Sequence, residues 1–265
     1  MYNNLQLSRK YLHYLFKASN AKGHGIHSPF VFDLIKNVLL ADRQYECYKK
    51  IEARRYILKK DKRALQIVDL GAGSSVLNEN RRTVGDVARS SLKSAKYAQL
   101  LFRMVNHYKP KTIIELGSSL GLTTAYLASG NPGSKVYTLE GSIAIAAIAK
   151  QGFEELGIQN IEMVEGDFSQ NLPFVLLKAG PVELVFLDGN HRKEPTLEYF
   201  EQLIKYKTNS TVMIIDDIHW SREMEEVWSE IKKDSRVTLT IDLFFIGMVF
   251  FTPAIKNKQD FIIRF

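Results

Sequence analysis

Residues Lys111–Ala128 read KTIIELGSSLGLTTAYLA: a β-branched run, two glycines four apart, then an apolar pattern of helical period. Thr112, Ile113 and Ile114 favour an extended backbone, the run ends at Glu115, and Gly117 and Gly121 supply turn conformations that side chains disfavour. A strand that enters a tight glycine turn and leaves as a helix N-terminus turns backbone N–H groups toward a nucleotide-like ligand. Three further strand-like runs end at Glu140, Asp167 and Asp188, and another ends on the pair Asp216–Asp217. In an open parallel sheet, ligands bind beyond the C-terminal ends of the strands, which is where these acids fall.

From residue 111 onward, strand and helix patterns alternate. Strands are expected at 112–116, 135–140, 161–165, 183–188 and 211–216, and helices at 120–129, 142–156, 168–179, 195–206 and 221–233. Leu197, Phe200, Leu203 and Ile204 form a buried stripe on the fourth of these helices. Alternation with short connections predicts an α/β, Rossmann-like, mostly parallel sheet with helices on both faces. Val237–Leu243, Ile246–Phe251 and Phe261–Phe265 follow without the same alternation, so they are expected to finish the sheet in antiparallel sense.

The first 110 residues read differently. Residues 1–65 are helical in pattern, with Tyr11, Leu12, Leu15 and Phe16 on one stretch and Phe30, Val31, Leu34, Ile35, Val38 and Leu39 on the next. Asn20–Pro29 is a glycine- and histidine-bearing turn. Its His24 and His27 have no cysteine or carboxylate close by, so they read as loop histidines rather than metal ligands. Tyr45–Lys60 is a basic helix. Gln66–Ser74, QIVDLGAGS, imitates a strand and glycine turn, but neither a helical period nor a second acid-ended strand follows it. Residues 66–86 therefore read as an irregular loop, with a helix over Asp86–Val105. The chain divides into a helical N-terminal cap region, 1–110, and a ligand-binding α/β domain, 111–265.

Charge follows the same division. Residues 1–110 hold 21 Lys and Arg against 8 Asp and Glu, a surplus of +13, while 111–265 hold 15 against 21, or −6. The basic portion is read first as solvated helix faces beside an acidic remainder, and second as a surface for an anionic partner such as nucleic acid. Cys47 is the single cysteine, so an internal disulfide framework is excluded. The start of the chain carries no secretory pattern, and the longest apolar run, Leu243–Phe251, falls short of the roughly 20 residues a membrane span needs. A cytoplasmic location is expected; oligomeric state stays open.

The acids have chemical roles open to them. Glu140, ending the second strand, can accept hydrogen bonds from both ribose hydroxyls of a nucleoside. Asp167 can accept from an exocyclic amine, and Phe168 can stack beside the purine. Each acid could instead cap a helix N-terminus, although four in strand order are harder to explain that way. A nicotinamide dinucleotide domain would open similarly, but ELGSSLG lacks its three-glycine pattern.

Over about 111–251 the pattern resembles class I S-adenosylmethionine-dependent methyltransferases. Within them it is most similar to small-molecule O-methyltransferases of the catechol and caffeoyl-CoA type, which share the E-L-G-x-x-x-G turn. FLDGNH, Phe186–His191, resembles the D-G-x-H stretch of a broad O-methyltransferase family. The resemblance implies that Glu115, Gly117, Ser118, Ser119 and Gly121 hold the methionine part of the cofactor. Glu140, with Gly141 and Ser142, would hold the ribose, Asp167 and Phe168 the adenine, and Asp188 would lie at the reacting end. It also implies a divalent metal on Asp188, Asp216 and Asp217, a carboxylate set that suits Mg2+. His191, three residues past Asp188, is the candidate general base, and His219 is the second choice. Lys193 and Arg192 do not match the spacing of the lysine found in metal-dependent relatives. Trp220 and Trp228 read as core or pocket wall.

The leading expectation is S-adenosylmethionine-dependent methylation of a hydroxyl on a small or lipid-like molecule. An RNA or tRNA methyltransferase using the basic N-terminal region is the alternative, followed by a non-catalytic cofactor-binding or docking protein.

Overall fold

The computed structural model describes residues 1–19, 28–66 and 81–265, the Arg81 side chain excepted. His24, His27 and the glycine-bearing stretch Asp69–Gly73 lie outside the described residues. The elements in chain order are α1 Asn4–Lys17, α2 Pro29–Leu34, a π-helical turn Ile35–Leu39, α3 Glu46–Lys60, β1 Ala64–Gln66, β2 Arg81–Thr83, α4 Val84–Ser90 and α5 Ala95–Tyr108. Then come β3 Thr112–Leu116, α6 Leu122–Gly130, β4 Lys135–Glu140, α7 Ile143–Glu155, β5 Ile161–Glu165 and α8 Phe168–Ala179. The chain ends with β6 Val182–Leu187, α9 Lys193–Ile204, β7 Lys207–Asp216, α10 Arg222–Lys233, β8 Leu239–Asp242, β9 Ile246–Phe250 and β10 Gln259–Ile262. These elements form two compact units, 42–180 and 1–41 with 181–265.

In the unit 42–180, β3, β4 and β5 lie side by side in parallel register. Tyr48, Ile51 and Leu58 of α3 share one core cluster with Val84 and Val87 of α4, Phe102 of α5, Tyr126 of α6 and Ile145 and Ile148 of α7. Two of the α3 cations turn inward, which the sequence did not suggest. Buried Arg54 forms an ion pair with Glu155 and donates to the Ile148 carbonyl, while Arg55 binds Glu52 and the Lys93 carbonyl. Close packing there requires Gly152, because a Cβ at that position would fall on the Arg54 guanidinium.

The edges of the expected loop 66–86 are ordered: β1 and β2 pair antiparallel, and α4 begins at Val84. A capping box starts that helix. The Thr83 hydroxyl accepts from the Asp86 N–H and the Asp86 carboxylate accepts from the Thr83 N–H, which satisfies two otherwise orphaned donors. The helix expected over Asp86–Val105 is two helices, since the chain breaks at Ser91–Ser94 and α5 restarts after Ser94.

In the unit 1–41 with 181–265, β6 and β7 run parallel and β9 runs antiparallel to both β7 and β8. The antiparallel ending expected from the sequence is thus carried by β9, whereas β10 adds to β8 in parallel. Val237–Phe251 is buried along most of its length, with Gly247 directly beneath the Trp228 ring. Buried Phe200, Leu203 and Ile204 of the expected α9 stripe are joined by Tyr199 and Thr196. Strand directions and helix alternation are those of a Rossmann-like α/β fold, mostly parallel with antiparallel pairing near the C-terminus. No helix among the described residues is long and apolar enough to cross a membrane.

Candidate functional site

Register decides what meets at the strand ends of the unit 42–180. Leu116 pairs with Leu139 and Glu140 with Glu165, so the turn after β3, the Glu140 carboxylate and the loop after β5 share one edge. The turn is hooked onto β4: the Gly117 and Ser118 N–H groups both donate to the Leu139 carbonyl, at 2.9 and 3.2 Å. Gly117, Ser119 and Gly121 all have positive φ, at 96°, 48° and 79°. At Gly121 a side chain is excluded twice over, because a Cβ would also lie 2.6 Å from the Phe153 ring. Gly121 offers no side-chain cap to the first N–H groups of α6.

Glu140 is buried, and its two carboxylate oxygens accept from the Ser119 N–H at 2.8 Å and the Ser142 N–H at 3.0 Å. The carboxylate therefore locks the glycine turn to the loop Gly141–Ser142. Ser118 does not face outward: it is buried, with its hydroxyl 2.6 Å from that of Thr138. Glu115 lies deeper still, under the turn, accepting from the Thr124 and Thr138 hydroxyls at 2.5 and 2.6 Å. Burial pushes its carboxyl up to about 7 against the pull of those hydrogen bonds. Its position makes Glu115 the floor of the turn, without the ligand-facing orientation expected from the motif. Asp167 caps α8, accepting from the Gln170 N–H at 3.1 Å, and Phe168 follows it half-buried. Ile143, at the start of α7, is exposed.

A second cluster lies in the unit 1–41 with 181–265. Leu187 pairs with Ile215, so Asp188 and Asp216 come next to each other as β6 and β7 end. His191 turns back toward them with Nε2 3.6 Å from the Asp188 carboxylate, and ligand atoms of Asp188, His191 and Asp216 all lie within 4.8 Å of one another. Two hard oxygen donors and one imidazole fit a divalent cation. Asp217, expected as the third acid, is not in the group. Its φ of 55° turns the chain, and its backbone binds Phe245 and Trp220 instead.

The other sequence candidates have different employment. His219 is held between Glu225, 3.1 Å from Nδ1, and Asp242, 2.8 Å from Nε2, and stacks on Phe244. Burial lowers its pKa, but the hydrogen bonds and charges of Asp242 and then Glu225 outweigh that and raise it overall. With both ring nitrogens engaged by carboxylates, His219 fits a structural ion cluster better than proton removal. Lys193 pairs with Glu226 and Glu230 of α10, at 3.1 and 2.7 Å. Trp228 is core, while Trp220 is half-buried, 5.6 Å from the His191 ring, and lines a small pocket with Leu7, Asp217, His219, Phe244 and Phe245. Cys47 is partly buried against the core of its unit, with its thiol pushed up by burial. Sequence reading missed Thr124 and Thr138 beneath the turn and Asp242 beside His219. Only the hydroxyls at alternating β4 and α6 positions could have signalled the first two.

Residues 114–218 match a family described as a methyltransferase domain. A tRNA (guanine-N(7)-)-methyltransferase of Mycoplasma mobile is 31% identical over 102 residues, 37% of this chain and 51% of that protein. The O-methyltransferase imqG of Aspergillus flavus is 28% identical over 114 residues, 41% of this chain and 45% of that protein. These matches span only about half the length of the curated relatives. Among solved structures, the O-methyltransferase TomG from Streptomyces achromogenes, in complex with S-adenosylmethionine, superposes with a TM-score of 0.57 at 19% identity, covering 84% of this chain and 96% of that one. The matched segment contains the glycine turn, Glu140, Asp167, Asp188 and Asp216, and the chain shares the fold of that solved O-methyltransferase.

Proposed function

We propose that this chain is an S-adenosylmethionine-dependent methyltransferase that modifies a hydroxyl of a small or lipid-like molecule. The observation that carries the reading is the Glu140 carboxylate, tied by backbone N–H groups to both the glycine turn and the next loop. A carboxylate can accept several hydrogen bonds, so the group that holds these loops can also accept from a ribose hydroxyl. The N–H groups at the start of α6, which have no side-chain cap, suit the carboxylate of the methionine part. Asp167 and Phe168 would take the adenine edge and face. When bound, the cofactor supplies a sulfonium-activated methyl group, so the chain has mainly to position the acceptor in line and accept its proton.

His191 is our base. Its imidazole is half-buried beside Asp188, which orients the ring and stabilises the cation formed when it takes the hydroxyl proton. Asp188 and Asp216 are the residues that would hold a divalent cation such as Mg2+, with His191 at its edge; the cation would lower the pKa of an acceptor hydroxyl. Residues 1–110 are proposed as the acceptor-side region. The RNA reading draws on the tRNA-methylating relative and the basic N-terminal surplus. Against it, Arg54 and Arg55 are buried in ion pairs and hydrogen bonds within the protein.

Calorimetry with S-adenosylmethionine and S-adenosylhomocysteine is the first test, and absence of binding to both would end the reading. A labelled-methyl screen over hydroxylated metabolites, lipids and tRNA should mark a hydroxylated small molecule or lipid. Label in tRNA alone would transfer the proposal to RNA. Chelation by EDTA should lower turnover and leave cofactor affinity unchanged; turnover insensitive to EDTA removes the cation.

A further inference from the structure

Helix α1 has two apolar faces, and among the described residues only one is packed against the rest of the protein. Its inward face is firmly held. Tyr2 and Lys10 bind Glu225, at 2.7 and 2.8 Å, the Tyr11 and Tyr14 rings pack on Phe244, and the Tyr14 hydroxyl donates to the Ile263 carbonyl at 2.5 Å. A capping box between Asn3 and Gln6 fixes its first turn, and Arg264 binds the Leu15 carbonyl near its end. The helix is an anchored element, so side chains on its outer surface are displayed in a fixed array.

Leu5, Leu12 and Phe16 occupy that outer surface, 82%, 56% and 90% exposed. At about 100° per residue, positions 5, 12 and 16 fall within an arc of about 40°, diametrically opposite the Leu7–Tyr14 line that faces inward. Arg9 lies on the same ridge, with His13 and Lys17 along one border, and α1 contains no carboxylate. Three large apolar side chains on one outward ridge cost free energy in water unless something covers them.

We propose that this ridge seats α1 on an anionic phospholipid surface. A helix lying in a bilayer interface needs apolar side chains to enter the acyl boundary and cations at headgroup level, and the ridge offers both. The charge pattern selects this occupant over a second copy of the chain. Two α1 helices paired ridge to ridge about a two-fold axis would bring the cations Arg9 and Lys17 and His13 of one helix close to those of the other, with no acid on either helix to offset them. A lipid surface carrying negative headgroups has the complementary sign. This surface is separate from the methyl-transfer residues, so the two proposals can fail independently.

The test is sedimentation of the full chain with vesicles of equal parts phosphatidylglycerol and phosphatidylcholine, against vesicles of phosphatidylcholine alone. The chain should bind the anionic vesicles at least about tenfold more tightly, and added salt should weaken that binding. The double substitution Leu12→Ser with Phe16→Ser should lower it by about tenfold or more. Arg9→Gln should lower it by about fivefold. All these side chains point outward, so circular dichroism, melting temperature and S-adenosylmethionine affinity should stay as in the parent. Equal binding to the two vesicle types overturns the proposal, and so does parental binding by the folded double variant. A dimer in sedimentation velocity that the double variant converts to monomer would assign the ridge to a second copy instead.

Discussion

The glycine-turn site of unit 42–180 and the Asp188–His191–Asp216 cluster of the other unit are built by opposite means. In the first, the working groups are backbone: N–H groups of Gly117, Ser118 and Ser119 are fixed by the Leu139 carbonyl and the Glu140 carboxylate. In the second, they are side chains brought together where two parallel strands end in register and a short loop folds His191 back. A backbone site tolerates little change in residue type, because positive φ and close packing exclude side chains. A side-chain cluster rests on the identity of each member. The first design suits holding a ligand of fixed shape, and the second suits chemistry that depends on particular side chains.

The comparison is broken most directly at His191. His191→Ala should lower methyl transfer by about 100- to 10,000-fold, the usual range for a lost general base. S-adenosylmethionine affinity, measured by calorimetry, should move less than threefold (roughly the scatter expected of a residue outside the binding contacts). A matching loss of cofactor affinity would erase the separation of holding from chemistry. Next comes Gly121→Ala, where the new methyl meets Phe153 in a strained conformation. Destabilisation of roughly 2–4 kcal/mol is expected in denaturant unfolding, with cofactor affinity falling in step. A neutral result would show that the turn can shift.

Glu140→Ala sharpens the same contrast from the other side. Removing an acceptor shared by two N–H groups should weaken S-adenosylmethionine binding by about 10- to 100-fold with the fold intact. The smallest effect concerns His219. Its pKa is raised in the folded chain, so its ion cluster contributes fully below the unfolded value of about 6.5 and less as pH rises through the higher folded value. The parent protein should therefore lose melting temperature above neutral pH more steeply than His219→Gln. Parallel pH profiles would mean that Asp242 and Glu225 are satisfied without the imidazolium.

What could be read from the sequence follows the same division. Strands β3, β4 and β5 fall on the residues expected because each is a short β-branched run closed by glycine, acid or both, and local chemistry fixes such ends. The joining of Asp188 to Asp216 was readable as two acids after two strands. That Asp217 turns away was not, since it depends on a left-handed residue and a bond to Phe245 across to the strand that returns. The roles of Glu115 and Ser118 were also hidden. A motif gives the positions of polar residues but not their depth, and here the threonines of neighbouring elements draw both inward. Capping at Thr83–Asp86 was legible in principle, as a threonine followed three residues later by a carboxylate.

The inward turn of Arg54 bears on how this molecule could be cut and recombined. Its pair with Glu155 and its bond to the Ile148 carbonyl tie a helix early in the chain to one between the second and third strands of its sheet. Glu52 of the same helix receives the Tyr126 hydroxyl, and Tyr48, Ile51 and Leu58 complete the core there. A graft or chimera begun at the first glycine-turn strand would leave that core open on one side and take Arg54 from Glu155 and Glu52 from Tyr126. The compact unit that holds the glycine turn begins at Asp42, about seventy residues earlier than the motif suggests.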